Sequence, residues 1–328
     1  MSGAAGGRVG VVVTGGGTGG HVYPAIAVAD ELVRRGHDRA AVRFLGSARG
    51  MEARAVPAAG YAIELLPGRG FRRSVAPGAI VQNLQTAWDT VVAAVRAVLL
   101  LRRWRPAVVF GVGGYAAAPG VIAARLLRIP VVVHEQNAAP GVVNRLAVRL
   151  GARAAVSLPG TALPGAVLTG NPVRAAIVEG AARSDAGGPG APPGGGAGGG
   201  PVVGVFGGSL GARRINDATV DLARRWRDRG QCTIRHVTGS RDYQRCVDEW
   251  SKRPAGVDAL RYEMVEFEDD MAGLYARADV VVTRAGAVTV AELAVSGTPA
   301  VVVPLPGAPS DHQTANGRAL ATAGAAVL

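Results

Sequence analysis

The chain has 328 residues, 48% of them hydrophobic, and a formal net charge of +12 set by 36 basic against 24 acidic residues. That length predicts about two domains with enough apolar material to fill their cores, so a globular class is expected. Lys252 is the sole lysine, which leaves a compositional bias as one source of the arginine excess; with 5% aromatics and neither zinc-finger spacing nor an RNA-binding signature, nucleic acid is set aside as a partner, and anionic lipid or phosphorylated substrates remain.

The opening MSGAAGGR has no charged region ahead of a long apolar segment, so no signal peptide is expected, and no apolar run is long enough to span a bilayer. The first run, VGVVVT (9–14), predicts a strand. It feeds TGGGTGGHVYPAIAVADEL, with five glycines between positions 15 and 20 and a predicted helix over 24–35 that places Pro24 in its first turn. Gly15, Gly17 and Gly20 match GxGxxG, but a nicotinamide site also wants an acid at the end of the second strand. There the run AVRFLG ends on Ser47 and Ala48, and no lysine followed by serine or threonine completes a Walker A loop. What survives is general: backbone N–H groups at a helix start make a cradle for an anion, with His21 beside it.

In 69–106, Ile80, Leu84, Trp88, Val91, Val95, Val98 and Leu99 fall near one helical stripe, with Arg69, Arg72 and Arg73 before it and Arg102, Arg103 and Arg105 after it. This predicts an element lying in an anionic membrane interface; an ordinary amphipathic helix covering a sheet is the alternative for part of it. AVVFGV, a second glycine loop GVGGYAAAPG (111–120) opening a helix over 116–128, PVVVHE and AAVSL continue the alternation of strands and helices. A boundary is expected near residue 172, followed by the glycine tract 186–200, read as a mobile surface insertion. The pattern restarts with VVGVF, a third glycine loop GGSLGARRIN (207–216), a helix over 212–229, and the runs TIRHVT, LRYEMV, DVVVTR and PAVVVPL. The expected fold class is therefore α/β, two doubly wound Rossmann-like domains over 1–171 and 172–328, facing across a ligand cleft. Three glycine loops point to a substrate with more than one phosphate group; the competing explanation for any one loop is close strand-to-helix packing. Cys232 and Cys246 match no metal spacing and are expected as buried thiols in a reducing cytoplasm. The closing GAAVL reads as the start of a further strand, and hence as a truncated sequence.

In order, TGGGTGGHVYPAIAVADEL, FGVGGYAAAPG, VHEQNAAPGVVNRL, TGNPVR, FGGSLGARRIN, EFEDDMAGLYARADVVVTRAGAVTVAEL and DHQTAN resemble the MurG family, from about residue 8 to the end. The resemblance implies a GT-B fold and a peripheral enzyme on the cytoplasmic side of the membrane. It also implies inverting, metal-independent transfer of N-acetylglucosamine from UDP-N-acetylglucosamine to lipid-linked muramyl-pentapeptide, without a cofactor. The first domain would take the acceptor and the second the UDP-sugar, and a chain lacking the family's final helix would be less stable and weakly active.

Site residues follow from both sources. A carboxylate suits both ribose hydroxyls, which points to Glu292; a first-turn acid favouring the helix dipole is the alternative. Ser209 and its neighbouring amides, with Arg174, would hold the diphosphate. The family places backbone atoms at Phe267 and Glu268 against the base, Gln313 against the sugar with Ala287, Val288 and Thr289 beneath it, and Asn137 at a sugar or acceptor contact. Thr18, Gly19 and Gly20 complete the substrate-binding set. His21 is the expected general base, kept neutral by the helix end beside it, with Glu135 its rival; His134 is expected to pack at a strand end. A UDP-sugar epimerase of the same architecture and a non-catalytic nucleotide-sugar-binding membrane module are the alternatives.

Overall fold

The computed structural model describes residues 9–68, 77–185, 200–208, 211–256 and 258–328. Arg69, Arg72, Arg73, Ser209 and the tract 186–199 lie outside the described residues. The chain divides into two compact units, 1–172 and 173–328.

In the first unit the order is β1 (Val11–Thr14), α1 (Gly19–Arg34), β2 (Val42–Ser47), α2 (Glu52–Ala58), β3 (Ala62–Leu66), α3 (Pro77–Trp104), β4 (Val108–Gly111), α4 (Ala118–Leu126), β5 (Val131–Glu135), α5 (Val142–Arg149), β6 (Arg153–Val156) and β7 (Val167–Leu168). The sheet runs β3-β2-β1-β4-β5-β6-β7 and every pairing is parallel. A parallel sheet is covered on both faces, which is why its strands read as unbroken apolar runs. Adjacent side chains on β1 go to opposite layers: Val12 packs with Leu45, Val109, Ala93 and Leu101, and Val13 with Val22, Ala29, Phe44 and Val56.

The second unit repeats the plan with α6 (Ala175–Asp185), β8 (Val202–Phe206), α7 (Arg213–Arg225), β9 (Thr233–Val237), α8 (Tyr243–Ser251), β10 (Arg261–Val265), α9 (Met271–Arg277), β11 (Val280–Thr283), α10 (Ala287–Ser296), β12 (Ala300–Val302), α11 (His312–Thr322) and β13 (Ala326–Val327). Its parallel sheet runs β10-β9-β8-β11-β12-β13. Val205, Ile215, Ala223 and Ile234 fill one layer, and Leu274, Val281, Leu293 and Val302 the other. The molecule is thus two doubly wound α/β units. The closing apolar residues form β13 beside β12, and Cys232 and Cys246 are buried free thiols.

Several elements depart from the sequence reading. Helix α1 starts at Gly19 rather than residue 24, because Thr18 is an extended N-cap (φ −135, ψ 161) and burial of Val22 and Ala25 extends the helix upstream. His21 is therefore in the first helical turn, and Pro24 lies beyond it. The segment expected as one helix over 116–128 begins as a 3-10 turn, Tyr115–Ala117, before α4, and α7 ends at Arg225, short of residue 229. The apolar patterning predicts neither α2 nor β3; β3 is a short, mostly exposed edge strand whose composition gives little burial signal.

Helix α3 has two apolar faces. Ala93, Ala97 and Leu101 are fully buried, whereas Trp88, Val91, Val95 and Leu99 are 69%, 55%, 56% and 61% exposed. Val98 packs partly against the core, and the side chains of Ile80 and Leu84 lie outside those described. Small residues let the buried face sit close to the sheet, which frees the larger ones for the other face. Among the described residues no helix is long and apolar enough to cross a membrane.

Candidate functional site

In an open α/β sheet, ligands bind beyond the carboxyl ends of the strands where the strand order reverses. In the first unit that point lies between β1 and β4, whose ends carry the first two glycine loops. The loops touch: a Cβ on Gly15 would lie 2.3 Å from Val112 Cγ2, and one on Gly114 would lie 2.6 Å from the Gly16 carbonyl oxygen. For these glycines close packing is the reason, so the first two loops form one structure rather than two separate anion cradles.

The first loop also holds a carboxylate of its own chain. Glu52, at the start of α2, is 1% exposed. Its Oε2 accepts the Gly17 N–H at 2.7 Å and its Oε1 accepts the Ser47 N–H at 2.8 Å. The end of the second strand carries Ser47 and Ala48 where a nicotinamide site would have its acid; the acid stands on the next helix and turns back to the strand end.

Beyond this carboxylate come the expected acceptor-side residues. Thr18 is exposed, and Gly19 and Gly20 form the half-buried start of α1. Thr18 Oγ1 lies 3.2 Å from His21 Nδ1, and Cβ atoms on Gly113 or Gly114 would come within 3.5 Å of the imidazole, so the second loop forms a wall for that ring. Glu135 is placed differently. It is 3% exposed, and its oxygens accept the Asn137 N–H (3.1 Å), the Asn137 side-chain amide (3.3 Å), the Gly141 N–H (2.9 Å) and the Asn144 side-chain amide (2.9 Å). A carboxylate has about four acceptor sites, and all four serve to order the loop after β5. His134 is 2% exposed with Nε2 at 3.0 Å from the Gly170 carbonyl; burial pushes its pKa down.

In the second unit the strand order reverses between β8 and β11. In the loop after β8 the Gly211 N–H donates to the Gly208 carbonyl at 2.9 Å; the expected phosphate contact Ser209 lies outside the described residues. Gly211 (φ +80) sits so close to β9 that a Cβ would lie 2.2 Å from the Thr238 carbonyl oxygen. That carbonyl accepts from Asn216 Nδ2 at 2.9 Å; Asn216 Oδ1 meets His236 Nε2 at 3.1 Å, and His236 Nδ1 meets the Tyr262 hydroxyl at 2.7 Å. Asn216 Nδ2 also donates to Asp242 Oδ2 at 3.2 Å, and burial lowers the His236 pKa to about 4, so the histidine of this support is neutral and a carboxylate stands at its edge.

The remaining expected residues surround β11 and α10. Arg174 and Glu292, given separate tasks by the sequence, are paired here: Arg174 Nε and Nη2 donate to Glu292 Oε1 at 2.9 and 2.8 Å, and the Tyr275 hydroxyl donates to Oε2 at 3.1 Å. Glu292 lies past the first turn of α10 and is 3% exposed, so a dipole role for a first-turn acid does not apply. Burial raises its pKa, against the opposing pull of Arg174 and Tyr275; Tyr275 is pushed well above its ordinary value by burial and then by the Glu292 charge. Ala287, Val288 and Thr289 form the first turn of α10. Gln313, at the start of α11, accepts the Leu305 N–H at 2.9 Å. Glu268 turns its side chain to Arg235 (3.0 and 2.8 Å), while Phe267 is exposed. Among the described residues no cluster of three or more His, Cys, Asp or Glu could hold a metal ion.

Two doubly wound parallel units, each with a glycine loop where its strand order reverses, fit the GT-B fold, and the family match makes the class a glycosyltransferase. The glycosyltransferase family 28 N-terminal domain matches residues 11–156 and its C-terminal domain residues 202–328. The UDP-N-acetylglucosamine--N-acetylmuramyl-(pentapeptide) pyrophosphoryl-undecaprenol N-acetylglucosamine transferase of Syntrophotalea carbinolica is 42% identical over 97% of this chain and 84% of its own. The Acinetobacter baumannii MurG crystal structure superposes with a TM-score of 0.67 at 32% identity, covering 97% of this chain and 84% of that one. The chain belongs to glycosyltransferase family 28, and within it to the MurG family. A Neisseria meningitidis UDP-GlcNAc 2-epimerase (TM-score 0.61, 14% identity, 97% of this chain and 86% of that one) shares the fold alone.

Proposed function

We propose that the chain transfers N-acetylglucosamine, with inversion, from UDP-N-acetylglucosamine to the muramyl sugar of undecaprenyl-pyrophosphoryl-muramyl-pentapeptide, as a peripheral enzyme on the cytoplasmic face of the membrane. The observation that carries this reading is the 42% identity over 97% of the chain to a transferase named for that reaction. The first unit takes the acceptor, and the second takes the donor.

The chemistry follows from the two units taken separately. His21 accepts the proton of the acceptor hydroxyl as that oxygen bonds to the anomeric carbon and the bond to the UDP oxygen breaks. The Thr18 hydroxyl at Nδ1 and the wall at Gly113–Gly114 hold the ring for this task. Glu135, with its acceptor sites filled, orders the loop bearing Asn137 and is a positioning residue rather than the base. On the donor side Glu292 exchanges Arg174 for the ribose hydroxyls, which releases Arg174 to the diphosphate. The developing charge on UDP then falls on Arg174 and the start of α7, an arrangement that supplies positive potential without a metal ion.

At the membrane, the exposed face of α3 borders an open apolar groove of about 290 Å³ lined by Val91, Ala94, Val95, Val98, Ile122 and Leu126. Arg102, Arg103 and Arg105 are exposed at the end of that helix. An apolar helix face with flanking arginines suits an anionic bilayer surface. The deciding assay incubates labelled UDP-N-acetylglucosamine with and without lipid-linked muramyl-pentapeptide. Label transferred to lipid supports the reading; epimerisation without acceptor, or binding without turnover, replaces it with one of its rivals.

A further inference from the structure

We propose that Glu52 is a positioning residue for the transfer: its buried carboxylate fixes the glycine loop that carries Thr18 and His21. The proposal rests on the reading of His21 as general base. A carboxylate removed from water is costly unless it is paired or hydrogen-bonded, yet among the described residues no arginine pairs with Glu52. Its recorded partners are two backbone N–H groups, of Gly17 and Ser47, at 2.7 and 2.8 Å. Hydrogen bonds to an ionised acceptor are roughly twice as strong as neutral ones, so loop and carboxylate each hold the other in place.

The surroundings are shaped to this one side chain. A Cβ added at Gly16, Gly46 or Gly50 would approach its atoms to 2.2, 2.5 or 2.0 Å. These glycines belong to the loop after β1, to β2 and to the turn before α2, so three segments leave room for a single carboxylate. Gly17 precedes Thr18, the N-cap of α1, whose hydroxyl meets His21 Nδ1. Ser47, the second partner, receives the Tyr115 hydroxyl at 3.4 Å from the loop that walls in the imidazole. Release of the carboxylate therefore shifts both structures that set the ring. Each carboxylate oxygen of Glu52 already accepts a backbone N–H, which gives it the task of holding the loop.

Glu52→Gln keeps the side chain's size but places an amide NH2 against one of the two N–H donors. Gly50→Ala leaves Glu52 intact and drives a methyl group into its carboxylate; it supplies an independent variant should the first fail to fold. Both are measured as the full chain, with UDP affinity by calorimetry as the check that the second unit is folded. Since misplacement by about 1 Å can cost about 10²-fold in rate, the expected result is a loss of roughly 10- to 100-fold in single-turnover transfer at saturating donor and acceptor. UDP affinity stays within about twofold, and the His21 ring resonances shift in NMR spectra of histidine-labelled protein. A purely structural role would lower the folded fraction of the first unit, read from the dispersed NMR signals of its residues, and leave the rate per molecule so folded unchanged; that result, with His21 resonances unmoved, overturns the proposal. The base reading is judged separately by His21→Ala: intact transfer in that variant defeats the base reading, while the ring resonances of Glu52→Gln still decide whether Glu52 positions the imidazole.

Discussion

The two halves of this molecule share a fold and a glycine loop at the same topological point, yet they support those loops with different partners. In the first unit the loop closes on the carboxylate of Glu52. In the second, the loop rests on Asn216 and a His236 that burial keeps neutral. In the first unit a carboxylate of the chain takes a loop N–H itself, whereas in the second the carboxylate of Asp242 reaches Asn216 instead, and the start of α7 lends positive potential to an external anion. The comparison teaches that a glycine-rich turn does not by itself reveal whether its anion comes from the chain or from a ligand. What stands behind the loop decides.

The largest expected effect tests the division of labour. His21→Ala is expected to lower turnover by about 10²- to 10⁴-fold, the range for loss of a general base, with UDP affinity close to that of the unaltered chain. Single-turnover transfer and calorimetry measure the two quantities. A variant that loses UDP binding and keeps its turnover at saturation would make His21 a donor contact and break the contrast between the halves.

A second test uses pH. The unfolded imidazole of His236 titrates near 6.5 and the folded one near 4, so on acidification the unfolded chain takes up its proton first. Stability from this group is complete above about pH 6.5 and is lost as pH falls toward 4, by about 3 kcal/mol at roughly 1.36 kcal/mol per pKa unit. His134 in the first unit shifts in the same direction, with its burial partly offset by the Gly170 carbonyl and the Glu135 charge. Denaturant unfolding at pH 7 and pH 4.5 should show the loss, and His236→Gln should flatten it. An equally steep loss in that variant would remove His236 as the cause.

How far the sequence could carry this comparison depends on the range of the interactions. The strands around β1, β4, β5, β8 and β11 are legible because burial on both faces leaves unbroken apolar runs. Edge strand β3, mostly in solvent, leaves no such trace. The sequence singles out His21, Glu292 and Gln313 as site residues, but it puts His21 ahead of a helix that begins at Gly19 and gives none of the partners that the side chains meet. Arg174 and Glu292 are far apart in the chain, and only the fold brings them to 2.8 Å. The carboxylate of Glu52 is hidden by a different feature: it acts backwards along the chain, from α2 to the end of β2. The one signal for it is the pair Gly46 and Gly50 around Ser47, small residues that leave room for a side chain not yet in view.

The donor half is tested by Glu292→Ala, expected to reduce UDP affinity by roughly 1.5 to 3 kcal/mol, the range for hydrogen bonds involving a charged group. Loss of the carboxylate also strips Arg174 of its partner, so a UDP analogue without the 2′ and 3′ hydroxyls separates the two contributions. That analogue should bind the variant and the unaltered chain alike if Glu292 acts through the ribose. Weaker binding of the analogue to the variant would mean that Glu292 acts by holding Arg174.

The smallest expected effect concerns the surface of the first unit. Positive charge stands there at Arg102 and Arg103 in the last turn of α3, beyond the exposed Trp88, Val91, Val95 and Leu99. A basic residue near an anionic bilayer contributes about 1 kcal/mol, so Arg102→Gln with Arg103→Gln should cost about 2 kcal/mol of vesicle affinity. Screening shortens the reach of such charges as salt rises, so the difference between variant and unaltered chain should shrink at high salt, while the apolar face retains its own share of binding in both. UDP affinity should stay unchanged if, as proposed, the donor binds in the other unit. Sedimentation with vesicles containing anionic lipid, at low and high salt, reads the effect. Equal binding by both proteins at both salt concentrations would show that these arginines do not face the membrane, and the proposed interface would then rest on the apolar stripe alone.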